Sequence, residues 1–224
     1  MATRLSTQAN QTGEETRAKI INATLETLRD EGIVGTTARA IARKGDFNQA
    51  LIFYHFGGVT GLLVAAACTE GEQRSARYAE RLENITSLHE LVGVARELHD
   101  EEQAEGTLAQ LLAGASSSPE LREGLMGAFE PWMRLIEDAV ERVLSATPYG
   151  EAFNSKDLSF AITSLFLGIE LMHTLNPESN QTSSLFRTFE QLAIVIEAML
   201  QAVTPATTPT PAPAPAKKVK KKKK

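Results

Sequence analysis

Apolar residues recur at three- and four-residue spacings along most of the chain, which is the pattern of one face of an α-helix. In the clearest case, Ile20, Ala23, Leu25 and Leu28 keep this period, and Gly32 follows as a helix stop. No segment has the alternation and β-branched enrichment typical of a strand. The sequence therefore predicts an all-α fold.

Capping residues mark the ends of the predicted helices. Thr12-Gly-Glu-Glu15 and Ser87-Leu-His-Glu90 are capping boxes, Asn48 is an N-cap, and Ser118-Pro119 places a cap before a proline at the first helical position. Pro131 lies inside a helical pattern, where we expect a kink or a break. The predicted helices cover about 12–32, 37–44, 49–56, 60–82, 87–103, 105–114, 119–145, 156–175 and 182–203.

Composition narrows the class of protein. Of 224 residues, 42% are hydrophobic and 23% charged, which is ordinary for a soluble globular chain and excludes wholesale disorder. No apolar run approaches the ~20 residues of a membrane helix, and residues 1–13 lack the apolar region of a secretory signal. Cys68 is the single cysteine, so an internal disulfide is impossible and a reducing cytoplasm is the simplest location.

Charge is distributed unevenly. Residues 1–56 hold seven basic and six acidic side chains, whereas residues 57–204 hold nine and 22. Residues 205–216 form a Pro/Ala/Thr linker, and seven lysines follow it. We expect residues 205–224 to be disordered, with an extended linker. An acidic body with a basic tail says more about partners than about fold.

Two short helices joined by a tight turn, after a longer helix, are typical of a helix-turn-helix unit. Ile41, Phe47, Ile52 and Phe56 are expected to form the small core that fixes the angle between the two helices. The remaining faces offer cations for phosphates and hydrogen-bonding groups for base edges. Spacing alone also allows a plain three-helix packing unit with a solvated polar face.

The segments Thr36-Thr-Ala-Arg-Ala-Ile-Ala-Arg43 and Asn48-Gln-Ala-Leu-Ile-Phe-Tyr-His-Phe-Gly57 resemble the N-terminal signature of the tetracycline-repressor (TetR) family. The resemblance covers roughly residues 14–65. It implies a homodimer in which residues 1–57 bind DNA and residues 58–204 bind an effector and dimerise. It implies these DNA-binding residues: Thr37, Arg39, Arg43, Lys44, Asn48, Gln49, Ala50, Leu51, Phe53, Tyr54 and His55.

The chain departs from the family pattern at four positions. Asp46 stands where the turn usually has glycine, and we expect it to take the left-handed conformation. Phe53 lacks the hydroxyl of the common tyrosine, Leu51 replaces a small residue, and Val59 replaces a common lysine. These changes predict fewer phosphate contacts than is usual in the family and, for the protein without its lysine tail, a shallow dependence of DNA affinity on salt.

Two residue sets are predicted in the C-terminal part. Effector pockets are mostly apolar and aromatic, and the pocket candidates are Leu98, Leu111, Met126, Phe129, Trp132, Met133, Phe160, Phe166 and His173, with His99 as a second polar anchor. The dimer candidates, on the last two helices, are Leu165, Gly168, Ile169, Met172, Leu192, Ile196 and Met199. Plain core packing within one subunit is the alternative for both sets.

Enzyme signatures are missing from the sequence: it has no G-x-S-x-G, H-E-x-x-H or C-x-x-C motif. No cofactor is expected. The hypothesis is a cytoplasmic, nucleoid-associated repressor that a small apolar molecule releases from double-stranded operator DNA, with no membrane partner. Two alternatives stay open: a binding module whose DNA site has decayed, and a non-specific DNA binder driven by the lysine tail.

Overall fold

The computed structural model describes residues 2–105, 107–147 and 150–203, which form α-helices, a short 3-10 turn at Gly150–Ala152 and no strand. The all-α prediction is confirmed. The helices are α1 (Ala2–Gly35), α2 (Ala38–Gly45), α3 (Ala50–Phe56), α4 (Val59–Glu83), α5 (Leu88–Glu105), α6 (Leu108–Ala115), α7 (Pro119–Ser145), α8 (Ser155–Leu175) and α9 (Gln181–Val203). The predicted linker and lysine tail at 205–224 lie outside the described residues.

Most of the predicted caps are present. Ser87 Oγ accepts from the Glu90 N–H at 3.1 Å, and Glu90 Oε2 accepts from the Ser87 N–H at 3.1 Å. Ser118 Oγ accepts from the Leu121 N–H at 3.2 Å, and Asn48 Oδ1 accepts from the Ala50 N–H at 2.9 Å. The first helix was placed too late, because α1 begins at Ala2 and continues through Thr12.

The expected break at Pro131 does not occur. Helix α7 runs without interruption from Pro119 to Ser145. A proline removes one hydrogen bond from the helical ladder, and here the packing of both halves of α7 against α4 offsets that loss. Gly71, for example, faces the Ala128 carbonyl, where a β-carbon would come within 2.8 Å.

The N-terminal core joins four helices. Ile20, Ile41 and Ile52 are fully buried, and Phe47 and Phe56 pack against them as predicted. The same cluster includes Leu62 and Ala66 of α4. Helix α4 begins at Val59, just after residue 57, where the sequence places a domain boundary, but its first turns pack in the N-terminal core. It therefore serves both halves of the chain.

Two further clusters hold the rest together. Leu28 of α1 packs with residues of α4, α6 and α7, so the end of α1 touches the C-terminal helices. Farther away, the second half of α4 packs with α5 and α7 around Leu82, Val94 and Ala139. A continuous apolar interior thus connects the short N-terminal helices to the larger helical half.

Helix α8 has two apolar faces. Leu158, Ile162 and Phe166 pack against the α4–α5–α7 cluster, while Leu165 and Met172 are exposed. This composition makes α8 long and apolar enough to cross a membrane, contrary to the expectation that no segment reaches that length. Glu170 of this helix is buried, and one of its apolar faces packs against α4, α5 and α7.

Candidate functional site

The turn between α2 and α3 adopts the predicted unusual conformation. Asp46 has φ 49° and ψ 61°, the left-handed region, and the Phe47 N–H donates to the Ala42 carbonyl at 3.1 Å. A β-carbon at Gly45 would overlap the Phe47 ring and approach Ala23 of α1. The turn therefore needs glycine at 45, and Asp46 takes the strained position instead.

Helix α3 presents a polar and aromatic face to solvent. Gln49 and Ala50 are exposed, Tyr54 is 82% exposed and Phe53 56% exposed. Leu51 is half-buried and packs against the N-terminal core. The outward face therefore offers an amide, a phenol and apolar surface, which suits reading base edges in a groove.

The remaining predicted DNA-binding residues surround this face. Thr37, Arg39, Arg43, Lys44 and Asn48 are exposed, and His55 is half-buried. Thr37 also caps α2, because its hydroxyl oxygen accepts from the Ala40 N–H at 3.2 Å.

Two of the predicted phosphate-binding cations are paired with carboxylates of α1. Arg43 Nη2 lies 2.7 Å from Glu31 Oε1, and Lys44 Nζ lies 2.5 Å from Asp30 Oδ2. The hydrogen bond from Lys44 lowers the pKa of Asp30, and the same bond raises the pKa of Lys44. These pairs reduce the positive charge that the surface offers to DNA.

Sequence reasoning missed Arg17. Its guanidinium donates to the His55 carbonyl at 2.8 Å and lies 4.4 Å from the centre of the Phe56 ring. It therefore caps the carboxyl end of α3 and fixes that helix against α1. The available signal was its position three residues before the buried Ile20, on nearly the same face of the helix.

Three adjoining cavities of about 40 Å³ each lie among α4, α5, α6, α7 and α8. The first and second share Arg74, Leu108 and Phe129, and the second and third share Leu98, Trp132, Thr163 and Phe166. Pockets for drug-sized ligands are typically about 300–1,000 Å³. A ligand of that size therefore requires the surrounding helices to move apart.

Five of the nine pocket candidates line these cavities: Leu98, Leu111, Phe129, Trp132 and Phe166. Met126 and Phe160 instead point to solvent, with 58% and 67% of their surface exposed. Met133 and His173 are half-buried and do not contribute to the linings described. The helical spacing of apolar residues predicts which segments form apolar helices, but it does not predict which face of each helix points into the subunit.

A buried polar network that the sequence did not reveal lies beside the cavities. Arg74 Nη2 donates to Glu102 Oε2 at 3.0 Å, and Glu102 Oε1 accepts from the Leu108 N–H at 2.7 Å. The Thr107 hydroxyl donates to Glu70 at 3.0 Å. Glu102 thus connects a cavity-lining cation to the first turn of α6.

His99 belongs to a second buried pair. Its Nδ1 lies 2.6 Å from Glu170 Oε1, and its ring meets the His173 ring edge-on. Burial raises the pKa of Glu170 to about 8, with a further contribution from the charge of Glu102, and burial lowers the pKa of His99. At neutral pH these shifts favour the uncharged pair, a protonated Glu170 hydrogen-bonded to a neutral His99.

Cys68 has no feature of a reactive thiol in the described structure. Burial, with a contribution from the charge of Glu72, raises the pKa of its thiol. A raised pKa keeps the sulfur protonated, and the protonated form is a poor nucleophile.

The dimer candidates fall on two sides of the helices. Ile169 is buried within the subunit, whereas Gly168 is exposed with no atom within 4 Å of an added β-carbon. The other five are exposed apolar side chains: Leu165, Met172, Leu192, Ile196 and Met199. Leu171, Leu175, Ile194 and Val195 are further exposed apolar side chains of α8 and α9.

Residues 20–66 match the family described as bacterial regulatory proteins, tetR family. These residues run from α1 through the short helices into α4. Over these residues the chain is similar to the tetR family. This family is described as bacterial regulatory proteins, in agreement with the sequence prediction of a regulator rather than an enzyme.

Other comparisons extend beyond these N-terminal residues. It is 23% identical over 155 residues to the HTH-type transcriptional regulator UidR of Escherichia coli K12, covering 69% of this chain and 76% of UidR. Its fold is similar to Bacillus subtilis FadR in complex with stearoyl-CoA, with TM-score 0.66, 15% identity, and 79% and 96% coverage. It is also similar to the multidrug binding protein EbrR complexed with imidazole, with TM-score 0.56, 22% identity, and 79% and 94% coverage.

Proposed function

We propose that this protein is a homodimeric tetR-family repressor that a small apolar molecule releases from operator DNA. The observation that carries the proposal is the exposed Gln49–Tyr54 face of α3, held by the Asp46 turn and the Arg17 cap on a buried core. A rigid short helix with exposed polar and aromatic side chains fits a major groove. Its place of action is the nucleoid within the cytoplasm.

Within this proposal Gln49, Tyr54 and Arg39 read the groove, with Ala50 and Leu51 supplying apolar contacts. Thr37, Asn48, Phe53, His55, Arg43 and Lys44 lie along the phosphates. The exposed side chains support these roles, and the paired state of Arg43 and Lys44 indicates that their contribution is small.

Fluorescence anisotropy on the DNA upstream of the gene, with scrambled DNA as reference, tests this function. We expect a preference of about a thousandfold or more. Gln49→Ala or Tyr54→Ala should each reduce it by about tenfold or more, because a good base contact contributes about 1–3 kcal/mol. Gln73→Ala, an exposed glutamine of α4, is the matched control and should keep it.

A preference absent from both this DNA and a random-site selection would contradict specific repression. It would leave the decayed-site alternative, in which the C-terminal helices carry the function.

The three cavities support effector binding. They lie between helices that contact each other and α1, so a ligand that separates the walls also moves the end of α1. FadR and EbrR, which share the fold, have solved structures with stearoyl-CoA and with imidazole. The effector acts only if it binds the released conformer more tightly than the DNA-bound one.

A chain of hydrogen bonds supports a route from cavity to DNA. Glu102 joins Arg74 to the start of α6 through the Leu108 N–H. Two residues later, Gln110 Oε1 accepts from the Ile33 N–H at 3.1 Å, next to Gly32, where α1 departs from helical geometry at φ 68°. Displacing α6 would therefore disturb the end of α1 that precedes α2.

The exposed apolar surface of α8 and α9 supports the homodimer. Two such helices from each of two subunits can bury this surface in a four-helix interface. The dimer places two copies of α3 to meet half-sites about one helical turn apart.

The paired cations favour one second candidate, a non-specific DNA binder driven by the lysines at 217–224. Deleting residues 205–224 separates the two functions. A specific regulator keeps its operator preference and loses non-specific affinity. A tail-driven binder loses most of its DNA binding.

A further inference from the structure

The middle of the three cavities has three side chains that can donate hydrogen bonds in an otherwise apolar wall. Its lining consists of Arg74, Leu98, Leu108, Phe129, Trp132, Thr163, Phe166 and Leu167. Among these, only the guanidinium of Arg74, the hydroxyl of Thr163 and the indole N–H of Trp132 can donate a side-chain hydrogen bond to a ligand. The lining contains no carboxylate.

Arg74 has N–H donors that its contacts with Glu102 and Glu70 do not use. Its contacts with Glu102, at 3.0 Å, and Glu70, at 4.0 Å, both involve Nη2. Nε and Nη1 therefore keep their hydrogens for another acceptor within the described structure. Arginine in a partly buried wall is well suited to carboxylates, which it binds through two parallel hydrogen bonds.

Thr163 adds an independent observation. Its hydroxyl oxygen is buried and has no hydrogen-bond partner among the described residues, although Thr163 lines both the second and third cavities. Buried hydroxyls without partners are uncommon because desolvation is not compensated. A ligand atom that accepts this hydrogen bond would satisfy it.

We propose that the cavity binds a monocarboxylic acid with an apolar body. The carboxylate accepts from Arg74 and Thr163 in the middle cavity, and the body lies in the third cavity among Leu91, Val94, Leu98, Ile136 and Ile162. Glu70 lines the first cavity and repels a carboxylate there, which favours this orientation. The claim that this acid is the effector rests on the proposed function. The claim that the cavity binds the acid does not.

Calorimetric titration of the full chain with matched compounds tests the site. The probes are 4-phenylbutyrate, 4-phenylbutanamide and 4-phenylbutylamine, and octanoate with its amide and amine. We expect at least one acid to bind about tenfold or more tightly than its amide, because a hydrogen bond to a charged group exceeds one between neutral groups. The amine should bind more weakly still. An amide or amine that binds as tightly as its acid, or no acid binding at all, overturns the proposal.

Variants assign the preference to residues. Arg74→Gln should abolish the preference for the acid, and Thr163→Val should reduce acid affinity severalfold with little effect on the amide. Arg77→Gln is the control, since Arg77 lies on the same helix, pairs with the exposed Glu101 and lines none of the three cavities. If thermal melting shows that the Arg74→Gln variant is unfolded, the effect of Thr163→Val on acid affinity tests the assignment alone. A preference that survives in both folded variants overturns the assignment.

Operator binding separates this inference from the proposed function. An acid that binds with the expected preference and lowers operator affinity supports both. An acid that binds with this preference but leaves operator affinity unchanged supports the binding site. It overturns the idea that acid binding releases the protein from DNA.

Discussion

Glu170 is a carboxylic acid that the fold isolates from water beside a neutral histidine. Its pKa is raised to about 8, far above the ordinary 4.5. The folded protein therefore holds a proton at Glu170 between about pH 4.5 and pH 8 that the unfolded chain releases. Across this window the free energy of unfolding contributed by Glu170 falls as pH rises.

Glu170→Gln should remove this dependence, because a glutamine keeps the shape and can donate to His99 Nδ1 without titrating. We expect the variant and the parent to melt at similar temperatures at pH 5, and the variant to melt several degrees higher at pH 8.5. Thermal unfolding by circular dichroism across this range measures the difference. A difference in melting temperature between variant and parent that stays constant with pH would show that Glu170 does not titrate as described. Glu178→Gln, an exposed glutamate, is the control.

Single residues with local roles could be predicted, and those with distant partners could not. Asp46, Ser87 and Ser118 act on backbone within a few residues, so their surroundings in sequence reveal them. Arg17 acts across 38 residues and Glu170 across 71. Such partners depend on tertiary packing, which one-dimensional spacing does not encode.

At the scale of elements, α1 partly neutralises the surface of α2 that we propose contacts DNA. Asp30 and Glu31 pair with Lys44 and Arg43, the cations proposed to contact phosphates. Asp30→Asn with Glu31→Gln should free both cations. We expect tighter binding to random DNA and a slope of log K against log salt steeper by about one to two per subunit. Anisotropy titrations over a salt series measure this slope, and the double variant Glu14→Gln with Glu15→Gln is the control. An unchanged slope would mean that the Asp30–Lys44 and Glu31–Arg43 ion pairs do not compete with phosphates.

The contact between α6 and α1 gives a second prediction at this scale. Gln110→Ala removes the acceptor of the Ile33 N–H, which is worth about 1 kcal/mol. Hydrogen exchange in residues 30–37 should therefore become about fivefold faster, with little change in the global melting temperature. Gln73→Ala is the matched control, and equal exchange in the two variants would contradict a role for Gln110 in holding α1.

The sequence predicted where helices begin more accurately than it predicted which face of each helix is buried. Capping residues placed α5 and α7 to within a residue at their starts. The apolar stripe of α8, however, mixed residues that point inward, such as Phe166 and Ile169, with the exposed Met172. A helix that is apolar on two sides gives no periodic signal for which side meets its own subunit.

The whole molecule presents an apolar surface on α8 and α9 that a second subunit would cover. Met172→Glu places a charge on this surface and should weaken dimerisation by roughly thirtyfold, because losing about 1 kcal/mol of apolar burial on each of the two sides totals about 2 kcal/mol. Sedimentation over a concentration series measures the shift to monomer. Met126→Glu, an equally exposed methionine of α7, is the control. If both variants remain dimeric, the interface lies elsewhere.

The carboxylates of α1 also affect how the protein would search a chromosome. Asp30 and Glu31 offer Lys44 and Arg43 an alternative to every phosphate, so random DNA must displace them before it gains those contacts. Residence on any random stretch is shortened for this reason, while base contacts from α3 are unaffected. The protein should therefore leave wrong sites quickly and spend more of its search time in short excursions than in long one-dimensional sliding.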